Sequence, residues 1–251
     1  MVPVIQLGRL ALPTRPLLWL LAFYAGLWLA EREATRRGLR GDLVWNAGFL
    51  GLAIGLASGR LAYVVQHWEA YQRDWRAIFS LEPGAIAPIA SFAAGIAAGL
   101  IYLARARLLV VDMADAVAPG LALALALIHL GDFLSGDAYG IPTRMPWAIS
   151  LWSERRHPVQ LYEMSVMLIT LAILWRRRGI ARPSHLAWTM ALGYGVARLL
   201  FEPFRAESWL WPGGYRGAQV LGLLIALIAI WALTRPSRTI ANDLRIEDQV
   251  A

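Results

Sequence analysis

The sequence predicts an all-α integral membrane protein, a single bundle of about seven transmembrane helices with small extramembrane loops on the outer face. Three observations predict it. Hydrophobic residues make up 58% of the 251 positions, and charged residues only 16%. The apolar residues come in blocks as long as the hydrocarbon of a bilayer, which takes about 20 helical residues to cross. The blocks show no period-2 alternation. They therefore read as helices, whose backbone groups are satisfied internally, and not as strands of a barrel.

Taken in order, the first block, 16–31, is short and opens at Pro16, a residue that suits a helix start. Blocks 43–66 and 84–103 follow, then 114–134, where Pro119 removes one helix hydrogen bond and predicts a kink. The last three are 158–175, with Pro158 in a first-turn position, 184–206 and 214–234. Stretches 67–83 and 135–157, rich in Trp and charge, are the long loops and predict a small cap outside the bilayer. The seven blocks make one transmembrane domain over 1–234, leaving 235–251 as a polar tail. The N-terminus shows no signal-peptide pattern with a small-residue cleavage site, so the first block is expected to stay as a helix.

All 24 basic residues are arginine, and the formal net charge is +7. In a membrane protein such charge sets topology and touches lipid phosphates, so no nucleic-acid partner is inferred from it. The chain has no cysteine, which excludes disulfides, thiolate metal sites and a cysteine nucleophile of its own. The first, third and fifth loops and the tail carry thirteen arginines, among them Arg36, Arg105, Arg177 and Arg235; the N-terminal arm and the even loops carry seven, among them Arg15, Arg73 and Arg155. The positive-inside rule then puts the C-terminus in the cytoplasm and the N-terminus outside.

That orientation sorts the intramembrane polar residues by depth. Gly59, Arg60, Ser91, His129, Asp132, Arg198 and Glu202 all fall in the predicted outer leaflet. Each ionisable group at such depth costs roughly 2.5–3.5 kcal/mol unless paired or solvated, so a cluster predicts a polar cavity opening outward. Its predicted lining is Arg60, His129, Asp132, Asp137, Arg198 and Glu202.

Three constellations carry chemistry. Tyr194, Arg198, Glu202 and Arg205 recur at helical spacing, which predicts one polar face of the sixth helix, with Pro203 inside the stripe freeing backbone carbonyls. An intrahelical ion pair alone would also account for it. His129 and Asp132 close the fourth helix at i and i+3, followed by Asp137 and by the turn glycines Gly136 and Gly140. Finally, Arg156-His157-Pro158 leads through Gln160, Tyr162 and Glu163 into the fifth helix, a pattern that also suits an ordinary charged helix start at the interface.

With these segments in their order, together with Gly59-Arg60-Leu61-Ala62-Tyr63 and Ser91-Phe92, the sequence resembles the phosphatidylglycerol–prolipoprotein diacylglyceryl transferase family over nearly its whole length. The resemblance implies a bacterial inner-membrane enzyme that moves the diacylglyceryl group of phosphatidylglycerol onto the lipobox cysteine of a prolipoprotein signal peptide, releasing glycerol phosphate. It implies partners that are membrane lipids and that signal peptide, with no cofactor and no metal. A thiol must lose its proton and reach the glycerol carbon while cations hold the departing phosphate, and arginine suits the second task. By the resemblance Arg198 is the family's essential arginine on its helix and Glu202 its partner; Arg60 and Gly140 match the second-helix arginine and the glycine that closes the signature loop. The catalytic set expected is His129, Asp132, Asp137, Arg198 and Glu202, with Arg60, Gly140, Tyr194, Arg205 and His157 binding substrate.

Some positions depart from the family pattern. Its His-Gly-Gly reads Ala93-Ala94-Gly95, its arginine and asparagine read His129 and Asp132, its glutamate reads Asp137, and its N-terminal tyrosine falls near Arg15. Imidazole at His129, with an ordinary pKa near about 6.5, suits the role of the lost base. The departures also support a second reading, a relative that binds or modifies a different lipid or has no catalysis. A transporter needs polar groups through both halves of the bilayer, and these occupy one. A metal enzyme built on His129, Asp132 and Asp137 lacks standard zinc spacing.

Overall fold

The computed structural model describes residues 3–8, 10–72, 75–79, 84–106, 110–151 and 153–235. Most of the tail expected over 235–251, and part of the loop 67–83, lie outside the described residues.

A β-hairpin, β1 (Val4–Leu7) with β2 (Leu10–Pro13), precedes helix α1 (Thr14–Arg36). Helices α2 (Asp42–Gln66), α3 (Trp68–Tyr71), α4 (Pro88–Arg105) and α5 (Val110–Ser135) follow. A second hairpin, β3 (Ile149–Leu151) with β4 (Glu154–Arg156), leads to α6 (Val159–Arg177), α7 (His185–Phe201) and α8 (Gly217–Thr234). Apart from the four-residue α3, each of these helices overlaps one of the blocks read from hydropathy. Five of them, α2, α4, α5, α6 and α8, are long and apolar enough to cross a membrane. The protein is therefore an all-α integral membrane protein. Helix α7 has 17 residues, and α1 carries Arg15 in its first turn and Glu31, Arg32 and Glu33 near its end.

Three local expectations are corrected. Helix α1 is not short: it has 23 residues, starting at Thr14 and running past the apolar block to Arg36. Its charged last turns hold because buried Glu33 accepts from Arg36 Nε at 2.8 Å and Arg37 Nε at 3.1 Å, while Arg37 also pairs with Asp115 at 3.6 Å. Helix α7 stops at Phe201, and Glu202–Phe204 form a 3-10 turn, so the sixth block does not continue as α-helix to 206. Pro203 is the reason, since it cannot donate to Leu199. The Leu199 carbonyl left free accepts instead from Gln219 Nε2 of α8 at 3.2 Å. Consequently Arg205 does not share a helical face with Arg198; its backbone is extended.

The chain forms two compact units. In Leu27–Val117, α2 and α4 meet along a seam of small residues. A Cβ at Gly51 would stand 2.8 Å from the Gly95 carbonyl oxygen, and one at Gly55 2.8 Å from that of Ser91. Ser91 Oγ donates to the Gly55 carbonyl at 2.9 Å. Without a hydrophobic drive between helices in lipid, such backbone approach and interhelical hydrogen bonding supply the association. The large apolar side chains point outward instead: Ile89, Phe92 and Ile96 of α4 are exposed, as hydrocarbon solvent permits.

In the other unit, Met1–Gly26 with Ala118–Ala251, the core joins three helices. Ala118, Ala122 and Ala126 of α5 pack against Met167 and Leu174 of α6 and Leu186, Met190 and Ala197 of α7. Helices α7 and α8 approach closely, since a Cβ at Gly195 would lie 2.8 Å from the Gly222 carbonyl oxygen.

Candidate active site

Glu163, in the second turn of α6, organises a polar cluster. Its side chain is 1% exposed. Arg198 Nη1 reaches Oε1 at 3.2 Å, Arg205 Nη1 reaches Oε2 at 2.7 Å, and His129 Nδ1 lies 3.3 Å from Oε2. Arg198 also donates to Glu202 Oε2 and, through Nε, to the Tyr194 hydroxyl, each at 3.3 Å. A carboxylate buried this deeply is tolerable only when several cationic and hydrogen-bonding partners offset its lost hydration. Two guanidiniums against Glu163 and Glu202 provide that balance.

Arg205 arrives by a different route from the one its spacing suggests. Residues 139–141 lie between two other segments, with a β-bridge from Gly140 to Arg205 and a hydrogen bond from His157 N to the Ile141 carbonyl at 3.1 Å. Ile141 N donates to the Phe204 carbonyl at 2.8 Å and Ala206 N to that of Tyr139 at 3.1 Å. Gly140 makes this lamination possible: a Cβ there would collide with the His157 carbonyl and come within 2.8 Å of Val159 Cγ2. Arg216 secures the far side, its Nη1 donating to the carbonyls of Glu202 and Arg205 at 3.1 Å each.

The end of α5 links this cluster to a second one. His129 turns to Glu163, whereas Asp132 accepts from Arg15 Nε at 2.9 Å. Arg15 Nη1 lies 3.6 Å from Asp137 Oδ2, and its guanidinium stands 4.7 Å from the Trp19 ring centroid. Asp137 also accepts from Ser135 Oγ at 2.7 Å, and its carbonyl accepts from Gln160 Nε2 at 2.6 Å. Gln160 is fully buried, and its Oε1 has no hydrogen-bond partner among the described residues.

His157 sits between the Tyr162 hydroxyl, 3.3 Å from Nδ1, and the Phe204 ring, 4.9 Å between centroids. Burial pushes its pKa below the ordinary histidine value, so it is neutral at neutral pH. Arg156 donates to the Gly140 carbonyl at 3.2 Å and stands over the Tyr139 ring.

Of the ten residues expected at the site, nine lie in this unit. His129, Tyr194, Arg198, Glu202 and Arg205 join around Glu163; Asp132 and Asp137 join around Arg15; Gly140 and His157 form the laminated segment. Arg60 belongs to the unit Leu27–Val117. There its Nη1, Nη2 and Nε donate to the carbonyls of Ala85, Ala77 and Ile78 at 2.9, 2.7 and 3.2 Å, which fastens the loop between α2 and α4. Glu163 and Arg15 are the members that the site expected from sequence leaves out, and Arg216 braces the backbone of the segment behind them. An arginine directly before an apolar block signals that a counter-charge is needed, but only folding names Asp132 as the partner.

Fold and cluster together define a class, the polytopic membrane proteins that keep carboxylates, guanidiniums and an imidazole paired among their helices. Within it, the chain belongs to the prolipoprotein diacylglyceryl transferase family, whose pattern matches residues 3–235. It is 31% identical over 223 residues to the phosphatidylglycerol–prolipoprotein diacylglyceryl transferase of Clostridioides difficile strain 630, covering 88% of this chain and 90% of that one. The enzyme of the same name from Gloeobacter violaceus is 29% identical, with 93% of each chain covered. That from Thermosynechococcus vestitus is 30% identical, covering 92% of this chain and 91% of the relative. The resemblance read from the motifs is borne out, and the chain is a membrane transferase.

Proposed function

We propose that this enzyme transfers the diacylglyceryl group of phosphatidylglycerol to the thiol of a lipobox cysteine in a prolipoprotein signal peptide, the first step of lipoprotein maturation. The observation that carries the reading is the convergence of Arg198, Arg205 and His129 on one buried carboxylate. In the reaction a C–S bond forms at the glycerol carbon bearing the phosphate. The C–O bond to phosphate breaks, and glycerol phosphate leaves with the electron pair. The thiol proton passes to the imidazole of His129, which lies beside Glu163 with Nδ1 3.3 Å from Oε2. Arg198 and Arg205 neutralise the charge that grows on the leaving phosphate. Asp132, Asp137 and Arg15 hold the loop that carries Gly140, and Glu202 holds Arg198.

The proposed topology is seven spans within a single domain, 1–234, in a bacterial inner membrane, with the N-terminus outside and the tail in the cytoplasm. Arginine bias supports it, and so do the ends of three odd-numbered spans. Arg32 lies over Trp28 at 4.6 Å, Arg178 over Trp175 at 3.6 Å and Arg235 over Trp231 at 3.4 Å. An aromatic ring with an arginine beyond it marks a membrane–water boundary. The test of function is to incubate purified enzyme with labelled phosphatidylglycerol and a lipobox peptide. Label is expected on the cysteine peptide and absent from its Cys→Ser counterpart and from a reaction with His129→Ala. Full activity of His129→Ala would remove His129 as the base.

A further inference from the structure

Beside the Glu163 cluster, α7 and α8 leave a groove of about 360 Å³ lined by Leu199, Tyr215, Arg216, Gln219, Val220 and Leu223. Arg216 divides its guanidinium. All its hydrogen bonds among the described residues run through Nη1, to the carbonyls of Glu202 and Arg205 and to Ser208 Oγ. That leaves its Nε and Nη2 donors without a partner among the described residues. The rest of the lining is graded: Tyr215 and Gln219 stand near the arginine, and Leu199, Val220 and Leu223 extend the groove along the two helices as an apolar track. Leu223 and the neighbouring Leu200 and Leu224 are all exposed, so the track continues into a lipid-facing surface.

We propose that this groove binds one anionic phospholipid, with its phosphate on the Nε and Nη2 edge of Arg216 and an acyl chain along Leu199, Val220 and Leu223. The inference takes the class of lipid from the transferase reading, but the site is separate from the Glu163 cluster. A guanidinium edge offers two parallel donors at the spacing of two phosphate oxygens, which a free phosphate would satisfy equally well. The apolar track decides between the two sources, because only a lipid uses both ends. Since Nη1 of the same guanidinium carries the Glu202 and Arg205 carbonyls, a docked lipid reinforces the segment that presents Arg205 to Glu163.

The test counts lipids retained by the full chain in native mass spectrometry, after exchange into phosphatidylglycerol or phosphatidylcholine. Leu223→Trp fills the track without removing a polar contact and is expected to hold one phosphatidylglycerol fewer than the parent. Arg216→Gln is expected to lose a preference for phosphatidylglycerol of roughly tenfold, the value of a charge-assisted hydrogen bond. Arg198→Ala, which disables the catalytic cluster, is expected to keep the groove lipid. Unchanged retention in Leu223→Trp overturns the proposal, as does loss of the same lipid in Arg198→Ala or its displacement by inorganic phosphate. Retention of the groove lipid by a wild-type enzyme that fails to label the cysteine peptide would sink the transferase reading alone.

Discussion

Glu163 shows how a single side chain makes the burial of several charges tolerable. Arg198 and Arg205 approach different oxygens of the same carboxylate, so its removal takes an ion-pair partner from two guanidiniums at once. Glu163→Gln is expected to abolish transfer and to destabilise the fold by about 3–5 kcal/mol, as breaking a buried ion pair does; unfolding followed in detergent measures it. Stability equal to the parent would mean that Glu202 and Tyr194 suffice to hold Arg198. Arg15 and Asp132 form a simpler pair with one half-exposed partner, side chains 39% and 8% exposed. A double-mutant cycle of Arg15→Gln and Asp132→Asn is expected to give a coupling within the usual range of about 0.5–3 kcal/mol for residues in one network. A coupling of zero would reduce the contact to an incidental one.

Among the elements, the laminated segment 139–141 has the tightest geometry. Gly140→Ala forces the chain away from His157 and is expected to disturb the bridge to Arg205 while leaving the helices intact. The predicted signature is lost transfer with unchanged helical circular dichroism, and an active Gly140→Ala would show that the bridge is dispensable. Helix α7 illustrates a different dependence. Pro203 ends it, Gln219 repairs the exposed Leu199 carbonyl, and the 3-10 turn that results sends Arg205 back towards α6. Sequence spacing alone places Arg205 on a helical face, because periodicity assumes that the helix continues past the proline.

For the molecule as a whole, the absence of cysteine makes topology directly measurable. Ile180, 84% exposed after α6, and Gly214, in the turn before α8, lie on opposite sides in the proposed arrangement. Gly214→Cys is expected to react with an impermeant thiol reagent in intact spheroplasts, and Ile180→Cys only after lysis. The reverse pattern would invert the proposed orientation. The helices themselves were legible in the sequence, because hydrophobic length is a property of consecutive residues and the bilayer imposes helical hydrogen bonding on it. The end of α1 was not, since its last charged turns depend on Glu33 meeting Arg36, Arg37 and the neighbourhood of Asp115. The ordered motifs likewise determined the family and named most of the polar residues that cluster around Glu163 and Arg15. Only the tertiary structure decided who pairs with whom: that Glu163 is the hub, that Arg15 answers Asp132, and that Arg60 fastens a loop. Ion pairs between residues 35, 42 and 117 positions apart follow no local period, so they exist only once the helices have packed.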